Sequence, residues 1–207
     1  MAPIALDGET RLQIDDADVT ISAAGGKLDT AEGQIRVSNP AVVMDNSDPS
    51  GGLVEVSGDI SAPIPAVLAL INEQQPDALA GIALPVDLEA ISGVLDLGLV
   101  ATLRLPDAGS GRELDVDYVV NGRVADFASA QPIQERRIDK GQLVFTASQE
   151  GYRLGGSAEI DGLPADVEIV GTPSGDPTIR IGSTVEVADL AKMGFDASEF
   201  LSGRVRF

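Results

Sequence analysis

The sequence predicts a mainly β protein: an elongated antiparallel sheet, curled into a groove or a partly open barrel or sandwich, with a few short helices. Three observations carry this. Apolar and polar side chains alternate with a period of two over most of the chain, turn dipeptides punctuate the alternating runs, and helical spacing is confined to short stretches.

The first strand candidates are brief: Leu12 with Ile14, Val19 with Ile21, Ile35 with Val37, and Val54 with Val56 and Ile60. Pro65 to Asn72 then has helical spacing, with Val67, Leu68 and Ile71 on one side and Pro65 in a first-turn position. Asp87 to Ile91 predicts a single helical turn. From Val94 to Leu105 the alternation is strict: Leu95, Leu97, Leu99, Ala101, Leu103 and Leu105 oppose Asp96, Gly98, Val100, Thr102 and Arg104. Pro106 to Arg112 reads as a loop, and strands on both sides argue against a domain linker. Leu114, Val116, Tyr118 and Val120 resume the apolar face against Asp115, Asp117 and Val119, and Asn121-Gly122 interrupts the run as a hairpin turn or a bulge.

The second half repeats the pattern. Leu143, Phe145 and Ala147 share a face, as do Tyr152, Leu154, Gly156, Ala158 and Ile160. Ala165, Val167 and Ile169 follow, then Ile179, Ile181, Ser183, Val185 and Val187. Asp7-Gly8, Glu150-Gly151 and Asp161-Gly162 are turn signals, and Gly155-Gly156 inside a strand pattern marks a bulge or bend. Ala188 to Met193 and Asp196 to Leu201 predict two more helical turns. Since alternate residues of a strand share one face, the chain should present one wet and one dry surface. Periodicity alone leaves open whether the dry surface is an open groove or the inside of a closed sandwich.

Composition narrows the chemistry. The formal charge is -19, which opposes nucleic-acid and anionic-membrane partners. There is no Cys and no His, so thiolate nucleophiles, zinc–thiolate sites and the commonest general base are missing. Aromatics make up 3% of the chain and Trp is absent, which leaves a dry face of Ala, Val, Leu and Ile. No apolar stretch is long enough to span a bilayer, and Met1-Ala2-Pro3 lacks the marks of a signal peptide. Gly203 to Phe207 reads as the start of a strand, so the chain is expected to be a segment of a longer protein.

Residues 1–207 read as a single elongated β segment. Glu89, Ser92 and Gly93 echo Glu199, Ser202 and Gly203 at an offset of 110 residues, which suggests two quasi-repeats, about 1–105 and 106–207.

The candidate catalytic groups are acids. Asp15-Asp16 with Asp18, Asp115 with Asp117, and Asp166 with Glu168 recur along wet faces with no aromatics for a sugar to stack on, so they read as solvated surface. Asp45 to Gly52 resembles a calcium loop but places Pro49 fifth and Val56 twelfth, where a bidentate acid is needed. No catalytic residue, metal or cofactor is therefore expected. Arg136-Arg137, beside Asp139 and Lys140, is the one basic cluster, and reads as a solvated turn or as a contact for a lipid phosphate at a groove rim.

Three stretches carry a family resemblance: Gly58-Asp59-Ile60 through Pro65 to Asn72, with Gly81-Ile82 and Ser92 to Leu97; Ile138 to Leu143 through Leu154 to Ala165; and Met193 to Asp196 with Leu201-Ser202-Gly203. In this order and spacing they resemble the AsmA-like superfamily, in particular its YhdP-type members, across most of Gly58 to Phe207. The resemblance implies a periplasmic segment of an inner-membrane-anchored bridge in a Gram-negative bacterium. Its aliphatic groove would carry phospholipid acyl chains between the inner and outer membranes, and its partners would be those chains and the neighbouring β repeats of the full-length protein. The lipid-facing residues would be Leu95, Leu97, Leu99, Leu103, Val116, Tyr118, Leu143, Phe145, Leu154, Ile160, Val167, Ile169, Ile179, Ile181 and Val185. The alternative is a structural or adhesive β module that binds protein and no lipid.

Overall fold

The computed structural model describes residues 5–16, 18–45, 47, 52–74, 90–106, 114–132, 135–173, 175–189 and 202–206. Ten strands follow one another across a single antiparallel sheet in chain order: β1 (Ala5–Asp15), β2 (Asp18–Thr30), β3 (Gly33–Asp45), β4 (Leu53–Pro63), β5 (Ile91–Arg104), β6 (Asp115–Ser129), β7 (Ile138–Ser148), β8 (Gly151–Ile160), β9 (Leu163–Gly171) and β10 (Thr178–Gly182). The sheet does not close into a barrel: β1 and β10 are its two edges. Among the described residues one α-helix, α1 (Ile64–Gln74), follows β4, and a separate two-stranded sheet pairs β11 (Thr184–Glu186) with β12 (Arg204–Arg206).

The turns follow their sequence signals unevenly. Asp161-Gly162 joins β8 to β9 with φ of 53° and 80°, the left-handed pair that a two-residue type I′ hairpin needs. Asp7-Gly8 is no turn. Gly8 (φ 80°) lies where β1 shifts register against β2, so β1 runs on through it. Asn121-Gly122 is neither turn nor bulge, since both residues pair regularly within β6. Further breaks in register accompany Asn39 in β3, Asp126 in β6 and Lys140 in β7, with φ of 52–54°. Such bulges increase local twist and coiling.

Helix α1 extends the expected helix by a few residues and begins, as expected, with proline in its first turn. It lies over one end of the sheet. Ala66 is fully buried and packs with Leu28, Ile35 and Ala62, and Ile60, Val67 and Leu70 surround them. The predicted strand from Ile179 to Val187 is broken at Ser183, whose hydroxyl donates to the Pro164 carbonyl at 2.6 Å and turns the chain into β11. Of the other expected helical turns, Ile91 instead opens β5 and 187–189 form a short 3₁₀ turn, while 87–89, 190–193 and 196–201 lie outside the described residues.

Burial is concentrated along one border of the sheet. The buried apolar residues Leu28, Ile35, Ala62, Ala66, Ile91, Val124, Leu143, Ala158, Leu163, Ala165, Val185 and Val187 belong to the border formed by α1, the turns at 31–32 and 161–162, and β11–β12. At the opposite border Leu12 is 62% and Ile14 68% exposed, and Ile21, Tyr118 and Tyr152 are exposed too.

Candidate functional site

Register pairing shows which side chains share a face, because residues directly opposite on neighbouring strands project to the same side. One such row runs Gly26, Val37, Ile60, Leu97, Gly122, Phe145, Leu154, Ile169, Ile179 from β2 to β10 without a polar residue. A second runs Ala62, Leu95, Val124, Leu143, Gly156, Val167, Ile181. A third joins Leu12, Ile21, Val42, Val56, Ala101 and Tyr118. The dry face is thus continuous across the strands. At about 4.8 Å per strand, nine steps make the sheet ~43 Å across, several times the ~15 Å depth of one bilayer leaflet's hydrocarbon.

All the expected lipid-facing residues except Val185 lie on this face. Leu103 pairs with Val54 and Val116, Leu99 with Gly58 and Val120, and Ile160 with Leu163. Val185 is placed differently. It pairs with Val205 in the two-stranded sheet and is 3% exposed, so it belongs to a small core at the sheet's border. Sequence reading left Val42, Met44, Leu28 and Val124 out of the site. Val42 and Met44 sit in Ala41-Val42-Val43-Met44, an unbroken apolar run after Pro40, which hides the alternation.

Aromatic rings fill the gaps that glycines leave in this face. Phe145 lies directly opposite Gly122, Tyr152 opposite Gly171, and Phe127 opposite Gly141. A Cβ on Gly122 would meet the Phe145 ring at 2.5 Å. Gly122 is therefore where a ring folds flat over the backbone. The ring adds apolar surface there without standing up as a barrier on the row.

The opposite face carries the charges. Asp96 pairs with Arg123 at 3.1 Å, Arg104 with Asp115 at 3.0 Å, and Glu168 with both Arg180 and Arg153. Hydrogen bonds from Arg180 and then Arg153 hold the Glu168 carboxyl below the usual glutamate range, and those from Ser61 and Arg123 do the same for Asp96. Both acids are thus favoured as anions in their separate ion pairs, the opposite of a general acid held protonated. At the β1–β2 hairpin, local desolvation and then the Asp45, Asp15 and Asp16 charges raise Asp18. Among the described residues no group of acids is arranged to hold a metal ion. The depressions of the charged face are shallow; one of about 560 Å³ is lined by Asp59, Ser61 and the paired Asp96 and Arg123.

Fold and face together define an open, one-sided β-sheet whose apolar surface, among the described residues, is covered along one border. Comparison with protein-family models, with curated proteins and with solved structures gives no match.

Proposed function

We propose that this chain binds acyl chains along its dry face and conducts them passively, as a segment of a periplasmic intermembrane lipid-transfer protein. One observation carries the reading: apolar side chains and glycines in unbroken register rows run across the strands, and among the described residues no protein layer covers them beyond the border under α1 and β11. Each methylene moved from water onto such a surface gains up to about 0.8 kcal/mol. The rows hold no polar group that would fix a lipid at one point, so binding and sliding are compatible. The chemistry is that of a surface and not of a catalyst. The periplasmic setting and the phospholipid cargo rest on the resemblance to AsmA-like proteins. Gly93 and Gly203, 110 residues apart, both take positive φ, in keeping with a two-unit organisation.

The test is Leu97→Asp, near the middle of the longest row. On an open face the carboxylate keeps its water, so the protein should fold and unfold thermally much as the wild type does. Crosslinking of a photoreactive phospholipid should fall sharply. A wild type that never crosslinks lipid would defeat the reading and favour the protein-binding β module.

A further inference from the structure

Most of the described cations of the sheet point away from the dry face. Arg104, Arg123, Arg153 and Arg180 occupy the charged face, each paired with an acid. Arg136 differs. It lines a pocket of about 170 Å³ whose other walls are Ile160, Leu163, Ala165, Ile181, Ser183 and Asp161. Ile160, Leu163, Ala165 and Ile181 are dry-face residues, paired directly or in line with the rows above. The pocket is thus where the apolar surface meets a guanidinium at the border of the sheet.

The cation is tethered but not exhausted. Arg136 Nη1 donates to Asp161 Oδ2 at 2.8 Å, and the Arg137 backbone N–H donates to Asp161 Oδ1 at 2.9 Å. A guanidinium carries five N–H donors, and among the described residues Arg136 directs one of them to a protein acceptor. Its side chain is 58% exposed, so the remaining donors reach solvent. Arg137 and Lys140 flank it, bound to Asp139 and Glu159. The Ser183 hydroxyl is turned away to Pro164, which leaves Arg136 to supply the polar contact.

We propose that this pocket seats the anionic head of a lipid, its phosphate or carboxylate on Arg136 and its first methylenes against Ile160, Leu163, Ala165 and Ile181. The proposal rests on the acyl-chain reading above and adds a headgroup class and an orientation to it. The pocket holds roughly six water volumes at ~30 Å³ each, which suits a head and the start of a chain, with the tail continuing onto the rows. The chain's negative charge does not forbid this, because charges more than a Debye length of about 8 Å away are screened at physiological salt. At contact distance, charge-assisted hydrogen bonds from the guanidinium dominate.

The test compares two probes with the same acyl chain, lysophosphatidic acid and the uncharged monoacylglycerol, titrated against the full chain. Arg136→Gln should weaken the phosphate-bearing probe about fivefold to tenfold, the loss of one exposed charge-assisted contact, and leave the uncharged probe unchanged. Asp161→Asn keeps a residue that favours the left-handed turn position and removes the competing carboxylate, so it should tighten the phosphate-bearing probe. This gain cannot come from misfolding. Equal effects on both probes, or on neither, overturn the headgroup site while uncharged-lipid binding keeps the acyl-chain reading standing. Displacement of the lipid by equimolar inorganic phosphate also overturns it, since the pocket would then be a plain anion site. If neither probe binds the wild type, both readings fail.

Discussion

Gly122 shows how one missing Cβ shapes the surface. Alanine normally outperforms glycine in a strand by roughly 0.5–1 kcal/mol, because glycine loses more backbone entropy on folding. At Gly122 that gain is outweighed. The added Cβ would stand 2.5 Å from the Phe145 ring and 2.8 Å from the Asp96 carbonyl oxygen, and only the ring can swing aside. Overpacking of this kind costs about 1–3 kcal/mol. Gly122→Ala is therefore expected to lower the urea midpoint with an unchanged m-value. An unchanged or raised midpoint would mean that the sheet yields more easily than its register implies. The sequence marks Asn121-Gly122 as a break, but the glycine serves a neighbour one strand away. Local turn signals carry no trace of a cross-strand partner.

At the scale of elements, α1 and the sheet it covers respond differently to the same substitution. Ala66 is 0% exposed and packs against Leu28, Ile35 and Ala62. Ala66→Asp buries a carboxylate with no partner and should cost at least about 3 kcal/mol. The expected readout is a large drop in unfolding temperature, beside the near-wild-type value of Leu97→Asp. Equal losses in the two variants would mean that the dry face is closed after all.

Strands were legible where one face is wet and the other dry. β5 and β6 fall within a few residues of the alternation that predicts them, because each residue there answers to a single environment. The helix was legible from Pro65 and its apolar spacing. The bulges at Asn39, Asp126 and Lys140 were not, since polar residues in left-handed conformations mimic the ordinary wet positions of a strand. The break at Ser183 was hidden for a related reason. Ile179 to Val187 keeps its period of two apart from a small hydroxyl at Ser183, and the bond from that hydroxyl to Pro164, where β10 ends, is long-range. So the face could be assembled from sequence, but Val185 was assigned to it wrongly.

For the whole molecule, the border with the buried residues behaves as the spine of a book. Leu28, Ile35, Leu143, Ala158 and Leu163 bind the strands together there, while the pages end in Leu12, Ile14 and Tyr118, open to water. Breathing motions should start at the free margin, where few apolar contacts resist separation of the strands. Amide hydrogen exchange should record this as a gradient within single strands. In β2, amides near Val19 should exchange well before those near Leu28, and in β5 those near Leu103 before those near Leu95. Uniform protection along a strand would mean that backbone pairing alone sets local stability. With the gradient, the leaves can part to admit a bulky guest at one margin without unbinding the volume.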